Sequence, residues 1–230
     1  MSYVDRAVVL AAGLGTRLKW LTSGAPKALM DVAGEAVIVR VIRRLAGQGV
    51  HDIAINTHHH AEKLIDALGD GSRFGVRLYF SREKELLDSG GGVRTAMELL
   101  PGNGLLAVHN ADVLADIDLQ CLANLVAADG AALAMVANPH HHKAGDFSLS
   151  NGKVVTRSGR SFTYSGVSVW DEKSLSGFQN GEAFSLTKPM RQLMDRGRLT
   201  GVVHRGSWFD VGRPKDLMLA RSSLAVSKQL

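Results

Sequence analysis

A glycine turn between an apolar run and two cations has the clearest chemical consequence in this sequence. Val8, Val9 and Leu10 form an aliphatic run that is typical of a strand buried on both faces. The turn that follows has almost no side chains, so its backbone N–H groups can approach an anion closely. Arg17 adds donors matched to phosphate oxygens, and Lys27 adds a second cation. The predicted nucleotide-binding residues of this stretch are Leu10, Ala11, Ala12, Gly13, Gly15, Thr16, Arg17 and Lys27.

Two common phosphate loops are excluded by the residues after Gly15. A Walker loop ends in Gly-Lys-Ser/Thr, whereas Gly15 is followed here by Thr16 and Arg17. A dinucleotide-binding fingerprint needs a third glycine, and this chain has Leu18 there. An ordinary strand-to-helix turn with surface cations is the remaining alternative. The joint spacing of the glycines, Arg17 and the Pro26-Lys27 pair favours a triphosphate site over that alternative.

The pattern L-A-A-G-x-G-T-R followed by P-K resembles the signature of the sugar-1-phosphate nucleotidyltransferases. Five further segments are most similar to the branch of that family that uridylylates N-acetylmuramate 1-phosphate. They are D-S-G-G-G at 88–92, H-N-A-D-V at 109–113, N-P-H-H-H-K-A-G-D-F at 138–147, F-T-Y-S-G-V-S-V at 162–169 and S-W-F-D-V-G at 207–212. The resemblance implies an NTP, with UTP first, and a sugar 1-phosphate as substrates.

Nucleotidyl transfer itself needs charge neutralisation and alignment more than a side-chain nucleophile. A hard divalent cation held by one or two carboxylates meets that need, and Mg²⁺ is the predicted cofactor. Asp112 follows the apolar run 105–108, and Asp210 lies between bulky apolar residues. Either acid alone is also consistent with a helix cap or a structural salt bridge. The resemblance implies that the pair are metal ligands and that Arg17, Lys27 and Asp112 are catalytic.

The residues that select the base and the sugar are the least constrained by the sequence. Glu83 lies where uridylyl-transferring relatives place a residue that reads the base, although it is also consistent with a surface acid. Gly90 and Gly91 are expected to pack against the base or the ribose. The residues that the resemblance places at the sugar phosphate are Gly145, Asp146, Tyr164, Ser165, Gly166 and Lys188. His141 or His142 is an alternative source of donors to that phosphate.

Three positions depart from the family pattern. Ala111 replaces a glycine beside Asp112, and Trp20 replaces a proline after the glycine turn. Many relatives of the muramate branch carry a lysine where this chain has Ser185, and the nearest lysine here is Lys188. The Ser185 departure bears on the acceptor sugar more than on the reaction. A guanylyl- or cytidylyltransferase acting on mannose-, heptose- or phosphoamino-type acceptors, and a nucleotide-sugar sensor without turnover, therefore remain alternatives.

Composition and charge limit the partners of the chain. A net charge of +5 comes from scattered basic residues with no longer run than Arg43-Arg44, which favours small anionic substrates over nucleic acid. The N-terminal apolar run is too short for a membrane span, so no membrane partner is predicted. Cys121 is the single cysteine and is expected to be a core thiol, which is typical of a cytoplasmic protein. No hexapeptide repeat is present, so a monomer or homodimer is expected.

Alternation of apolar runs with amphipathic segments predicts an α/β fold. Strands are predicted near 7–11, 52–56, 76–80, 105–109, 132–136 and 162–169, and helices near 37–47, 61–68, 91–100, 119–128, 186–196 and 215–224. This order predicts a mostly parallel, doubly wound Rossmann-like sheet, with a small antiparallel sugar-binding flap from 146–156 and 200–210. One domain is expected over 1–230, with a nucleotide-binding part at about 1–115 and a sugar-phosphate-binding part at about 116–230. Ligands are expected beyond the carboxyl ends of the strands, where the glycine turn and Asp112 meet.

Overall fold

The computed structural model describes residues 3–13 and 26–227, and of 224–227 the backbone alone. Gly15, Thr16, Arg17 and Trp20 therefore lie outside the described residues. The strands are β1 (Arg6–Leu10), β2 (Asp31–Val32), β3 (Glu35–Ala36), β4 (Asp52–Thr57), β5 (Arg77–Arg82), β6 (Leu105–Asn110), β7 (Val113–Ala115), β8 (Ala131–Val136), β9 (Phe147–Ser150), β10 (Lys153–Thr156), β11 (Ser161–Asp171), β12 (Leu199–Val203) and β13 (Trp208–Asp210). The α-helices are α1 (Val37–Ala46), α2 (Ala61–Leu68), α3 (Asp88–Met97), α4 (Leu119–Ala123), α5 (Thr187–Asp195) and α6 (Pro214–Ser227).

A nine-stranded sheet in the order β5-β4-β1-β6-β11-β8-β12-β10-β9 forms the centre of the molecule. Its first four strands are parallel. β11 runs antiparallel to both β6 and β8, and β12 returns parallel to β8. The sheet is therefore mixed, with its parallel part on the side that carries β1 and β6. The sheet contains strands from both predicted parts of the chain, at about 1–115 and about 116–230.

Apolar side chains cover both faces of the sheet. Val9 and Ile55 point to one core cluster with the buried face of α1, while Val8 and Val108 point to a second cluster with α3. Successive strand residues alternate between faces, so continuous runs such as Val8-Val9 supply both clusters at once. This burial on both faces confirms the α/β class and the helical layers that the sequence predicts.

Each predicted strand and helix is present, and most ends agree within about three residues. The helix that contains Cys121 is an exception, because α4 ends at Ala123 and Cys121 is exposed. The expectation of a core thiol was therefore wrong. Asp118 caps this helix and accepts from the Cys121 N–H (3.1 Å).

The predicted antiparallel flap is only partly present. β9 and β10 form an antiparallel hairpin at the edge of the large sheet. The start of the segment 200–210 joins this hairpin, since β12 pairs antiparallel with β10 at Thr200 and Lys153, whereas β13 pairs with β7 in a separate small sheet. Short apolar runs alone could not show which strand each run would pair with.

Within the described residues, no helix is long and apolar enough to cross a membrane.

A buried carboxylate joins the two outer parallel strands. Asp52, which is 6% exposed, accepts from Arg77 Nε (2.7 Å) and Nη2 (2.6 Å) and from the Tyr79 hydroxyl (3.0 Å). The hydrogen bonds from Arg77 are the main cause that holds the pKa of Asp52 below its usual value. The contribution of Asp52 to stability is therefore complete above pH 4 and is lost as pH falls through the lowered pKa.

We expect Asp52→Asn to lower Tm by about 2–4 °C at neutral pH, because the charged acceptor is lost. The difference from the wild type should persist down to about pH 5 and shrink below about pH 4, as measured by urea denaturation across pH. Asp66→Asn, at an exposed position of α2, is the control. A difference that does not depend on pH would contradict the assigned role of the ionised carboxylate.

Candidate functional site

Two carboxylates are brought together by the small sheet of β7 and β13. Val113 lies opposite Asp210 in this antiparallel pair, and the Val211 N–H donates to the Asp112 carbonyl oxygen (2.8 Å). Asp112 and Asp210 consequently line the same cleft. No group of three or more histidines, cysteines and acids that could hold a metal occurs in the described ranges. A cation here would have two protein carboxylates and would need substrate or water oxygens for its other ligands.

Lys27 supplies positive charge beside both acids. It begins a short 3-10 turn after Pro26, and its Nζ forms an ion pair with Asp112 Oδ2. Gly212 donates its N–H to Asp210 Oδ1 (2.9 Å). A Cβ atom at Gly212 would lie 2.6 Å from Lys27 Nζ and 2.7 Å from Asp210 Oδ1, so a larger residue would have to displace these two side-chain ends. The glycine of the W-F-D-V-G segment thus keeps the lysine and the second acid close.

The described part of the glycine turn begins directly above this cleft. The Ala111 N–H donates to the Leu10 carbonyl (3.0 Å), which ties the end of β1 to the residue before Asp112. The N–H groups of Ala11 and Ala12 donate to Asn56 Oδ1 at 2.7 and 3.4 Å. Gly13 is exposed, and an added Cβ would have no atom of the described residues within 4 Å apart from its chain neighbours. The turn is therefore anchored at its start, at Ala11 and Ala12.

Glu83 is buried behind the turn and is only 7% exposed. Its Oε1 accepts from Asn56 Nδ2 (2.7 Å), and its Oε2 accepts from the Leu87 N–H (3.1 Å). Both carboxylate oxygens are thus engaged by protein donors. The arrangement disfavours the expected contact between Glu83 and the base.

Protein packing accounts for Gly90 and Gly91. Their N–H groups donate to the Phe184 carbonyl at 2.8 and 3.0 Å. A Cβ atom would lie 2.4 Å from the Phe184 ring at Gly90 and 2.2 Å from the Glu182 carbonyl at Gly91. Both glycines are buried in α3, where they let this helix approach the segment before α5. Packing of their main chain against a base or ribose, as expected above, is not needed to explain them.

Five of the six residues predicted at the sugar phosphate lie in or beside the cleft. Asp146 Oδ2 accepts from the Tyr164 N–H (2.8 Å), and Tyr164 and Ser165 line the cleft with Asp112 and Asp210. The register of β11 against β8 shifts between Tyr164 and Ser168, and such irregularities redirect side chains. Gly166 lies within this irregularity at φ 85°, where a Cβ would meet Asn110 Nδ2 at 2.6 Å.

Gly145 and the histidines border the same end of the cleft. Gly145 has φ 63° and packs against the Asn138 side chain, so it shapes the loop before Asp146. His142 Nε2 lies 2.8 Å from Asp146 Oδ1, and His141 and His142 line the cleft. These positions keep the alternative role of the two histidines as donors to a phosphate open.

Lys188 is not brought to this cleft. Its Nζ lies 3.3 Å from Glu182 Oε1 and over the rings of Phe178 and Phe184, in a separate surface cleft. The predicted contact between Lys188 and the sugar phosphate therefore has no support from its position.

Arg213 is a cleft residue that the sequence analysis missed. It follows Gly212, lines the cleft with both acids, and has a buried Nε without a hydrogen-bond partner among the described residues. The signal was present in the sequence as a cation directly after the W-F-D-V-G segment. Trp208 was also missed as a cleft residue, and it donates from Nε1 to the Ser165 carbonyl (2.9 Å).

His109 precedes the loop of Asp112 and adds no charge to it. The side chain is 4% exposed, and Nδ1 lies 2.8 Å from the Asn110 carbonyl oxygen. Burial lowers the pKa of His109 to about 4, so the imidazole is neutral near pH 7. His109 therefore supports the end of β6 through its backbone contact.

Comparisons with known proteins identify the family of the chain. Residues 6–151 match the nucleotidyl transferase family model. The chain is 38% identical over 215 residues to the N-acetylmuramate alpha-1-phosphate uridylyltransferase of Neisseria meningitidis serogroup B, covering 90% of this chain and 93% of that protein. It is 31% identical to the enzyme of the same name from Caulobacter vibrioides, covering 95% and 96%.

A solved structure shows the same fold. HddC from Yersinia pseudotuberculosis superposes with a TM-score of 0.78 at 22% identity, covering 96% of this chain and 100% of that one. At this identity the likeness concerns the fold alone. Together with the family match and the two uridylyltransferase relatives, the cleft of Asp112 and Asp210 leads to one conclusion: this chain belongs to the nucleotidyl transferase family and is a nucleotidyltransferase.

Proposed function

We propose that this enzyme transfers a uridylyl group from UTP to N-acetylmuramate 1-phosphate, releasing pyrophosphate. The observation that carries the proposal is the pair of carboxylates in one cleft with Lys27, which pairs with Asp112. The nucleotide and sugar are those named for the relatives at 38% and 31% identity. A phosphate oxygen of the sugar phosphate forms the new bond to the α-phosphorus, and the bond to the bridging oxygen of the leaving pyrophosphate breaks.

Each described residue of the cleft has a role in this reaction. We assign Gly13 and Lys27 to the anionic triphosphate, with Thr16 and Arg17 expected to continue that contact, while the N–H groups of Ala11 and Ala12 are held by Asn56. Asp112 and Asp210 offer the oxygen ligands that Mg²⁺ prefers, so these two residues would hold it. When bound, Mg²⁺ supplies charge neutralisation at the phosphates. The sugar phosphate is already mostly deprotonated at neutral pH, because its second pKa is about 6.

Arg213 supplies a cation to the part of the cleft that we assign to the sugar 1-phosphate. It shares the cleft with Tyr164 and Ser165, which lie at the predicted sugar end. A guanidinium that lines this cleft offers a charge-assisted hydrogen-bond donor to an anion. We assign this donor to the sugar 1-phosphate, in place of the predicted contact by Lys188.

The role of Asp112 in cation binding is tested by Asp112→Asn. We expect kcat/KM to fall by ~100-fold or more with Tm nearly unchanged, because a ligand to the cation is removed at a strand end and not in the core. Pyrophosphate release with UTP, N-acetylmuramate 1-phosphate and Mg²⁺ is the measurement. Asp116→Asn, which pairs with His204 outside this cleft, is the control. Undiminished turnover in Asp112→Asn, or full activity in excess chelator, would contradict the assignment.

The role of Arg213 is tested by Arg213→Gln, which removes the charge and keeps part of the side-chain length. We expect KM for the sugar phosphate to rise by ~10-fold or more with KM for UTP changed little, because a charge-assisted hydrogen bond is lost. Arg205→Gln removes an exposed cation before β13 and controls for net charge. Equal effects of the two variants, or an effect on KM for UTP alone, would show that Arg213 does not bind the acceptor.

A further inference from the structure

A buried relay of hydrogen bonds connects two parts of the nucleotide site. It starts at the Leu87 N–H, directly before α3, and passes through the Glu83 carboxylate to the Asn56 side-chain amide. From Asn56 Oδ1 it reaches the N–H groups of Ala11 and Ala12 at the start of the glycine turn. We propose that Asn56 and Glu83 are positioning residues that hold this turn in its phosphate-binding form.

The hydrogen-bond partners of Asn56 fix the orientation of its side-chain amide. Asn56 Oδ1 faces two backbone donors, while Asn56 Nδ2 faces a carboxylate oxygen, so the orientation of the amide is fixed by its partners. Ala11 follows the last residue of β1, where the backbone leaves the parallel ladder. The Asn56 amide therefore satisfies a backbone donor that the sheet no longer pairs.

Both side chains of the relay are buried. Asn56 is 3% exposed and Glu83 is 7% exposed, so a polar atom left without a partner there would lack solvent as a substitute. The two residues come from neighbouring strands, because Asn56 lies in β4 and Glu83 directly follows β5. The outer strands of the sheet thereby determine where the turn above β1 begins.

The third glycine of the D-S-G-G-G segment has its explanation in the same relay. A Cβ atom at Gly92 would lie 2.5 Å from Asn56 Nδ2 and 2.9 Å from Glu83 Oε1. Any side chain at this position of α3 would displace the hydrogen bond between Asn56 and Glu83. Gly92 thus leaves room for the relay.

This inference rests on the proposed function, because it assigns a triphosphate to the glycine turn. Its test uses inorganic triphosphate, which has no base, as a competitor of UTP. If Glu83 read the base, a change at Glu83 would alter the choice among NTPs and leave binding of inorganic triphosphate unchanged. If Glu83 positions the turn, the change would weaken inorganic triphosphate and every NTP alike.

The most informative variants replace the Asn56 amide by a carboxylate and the Glu83 carboxylate by an amide. Asn56→Asp sets two carboxylates against each other, and Glu83→Gln sets an amide N–H₂ group against one of the two donors that Glu83 accepts from. The double variant Asn56→Asp/Glu83→Gln restores each hydrogen bond, with the carboxylate and the amide exchanged. Thr57→Val is the matched control, since Thr57 is the next buried residue of β4 and its hydroxyl donates to the Ser81 carbonyl, at 3.4 Å, outside the relay.

We expect each single variant to raise the inhibition constant of inorganic triphosphate by ~10-fold or more and the double variant to recover most of that loss. KM for the sugar phosphate should stay within about twofold in all folded variants, with folding followed by circular dichroism and Tm. Unchanged inhibition in the single variants, or no recovery in the double variant when it is folded, would overturn the relay. Failure of the wild type itself to bind inorganic triphosphate would instead contradict the proposed function.

Discussion

The cleft depends on the balance of charge around two acids that the fold places side by side. Asp112 and Asp210 line one cleft because β7 and β13 pair, and like charges in one cleft repel unless cations or donors compensate them. Lys27 pairs with Asp112, the Gly212 N–H donates to Asp210, and Arg213 lies beside both. A substrate with several phosphates and a divalent cation enters an environment in which both signs of charge are already fixed. The geometry therefore suits phosphoryl chemistry without a side-chain nucleophile.

Much of the fold could be predicted from sequence because its signal is local. Continuous aliphatic runs such as that at Val8 to Leu10 mark strands buried on both faces, and α1 shows a clear amphipathic period. β7 and β13 have three residues each, and their pairing depends on a tertiary contact that no local pattern encodes. The sequence predicted both acids of the cleft, whereas the strand pair that aligns them is visible only in the structure.

Glycines were the least reliable guide to the site, because several physical causes demand the same residue. Gly212 is required by the approach of Lys27 to Asp210, within the cleft itself. Gly90 and Gly91 are required by the close contact of α3 with Phe184 and Glu182, which involves no ligand. Sequence spacing shows that side chains are excluded, but only coordinates show which neighbour excludes them. Charged residues had the same ambiguity, since Glu83 and Lys188 are satisfied by protein partners.

The fate of the α-phosphate shows directly whether this cleft catalyses nucleotidyl transfer. The wild-type enzyme would be incubated with Mg²⁺, a sugar 1-phosphate and each of the four NTPs labelled at the α-phosphate, and both pyrophosphate and labelled products would be quantified. We expect UTP with N-acetylmuramate 1-phosphate to give the highest kcat/KM. The label should appear in a UDP-sugar, with one pyrophosphate released for each label transferred. Preference for GTP or CTP with another acceptor would contradict the assigned substrates. Recovery of the label as free nucleoside monophosphate, or no turnover with any pair, would contradict nucleotidyl transfer at this cleft.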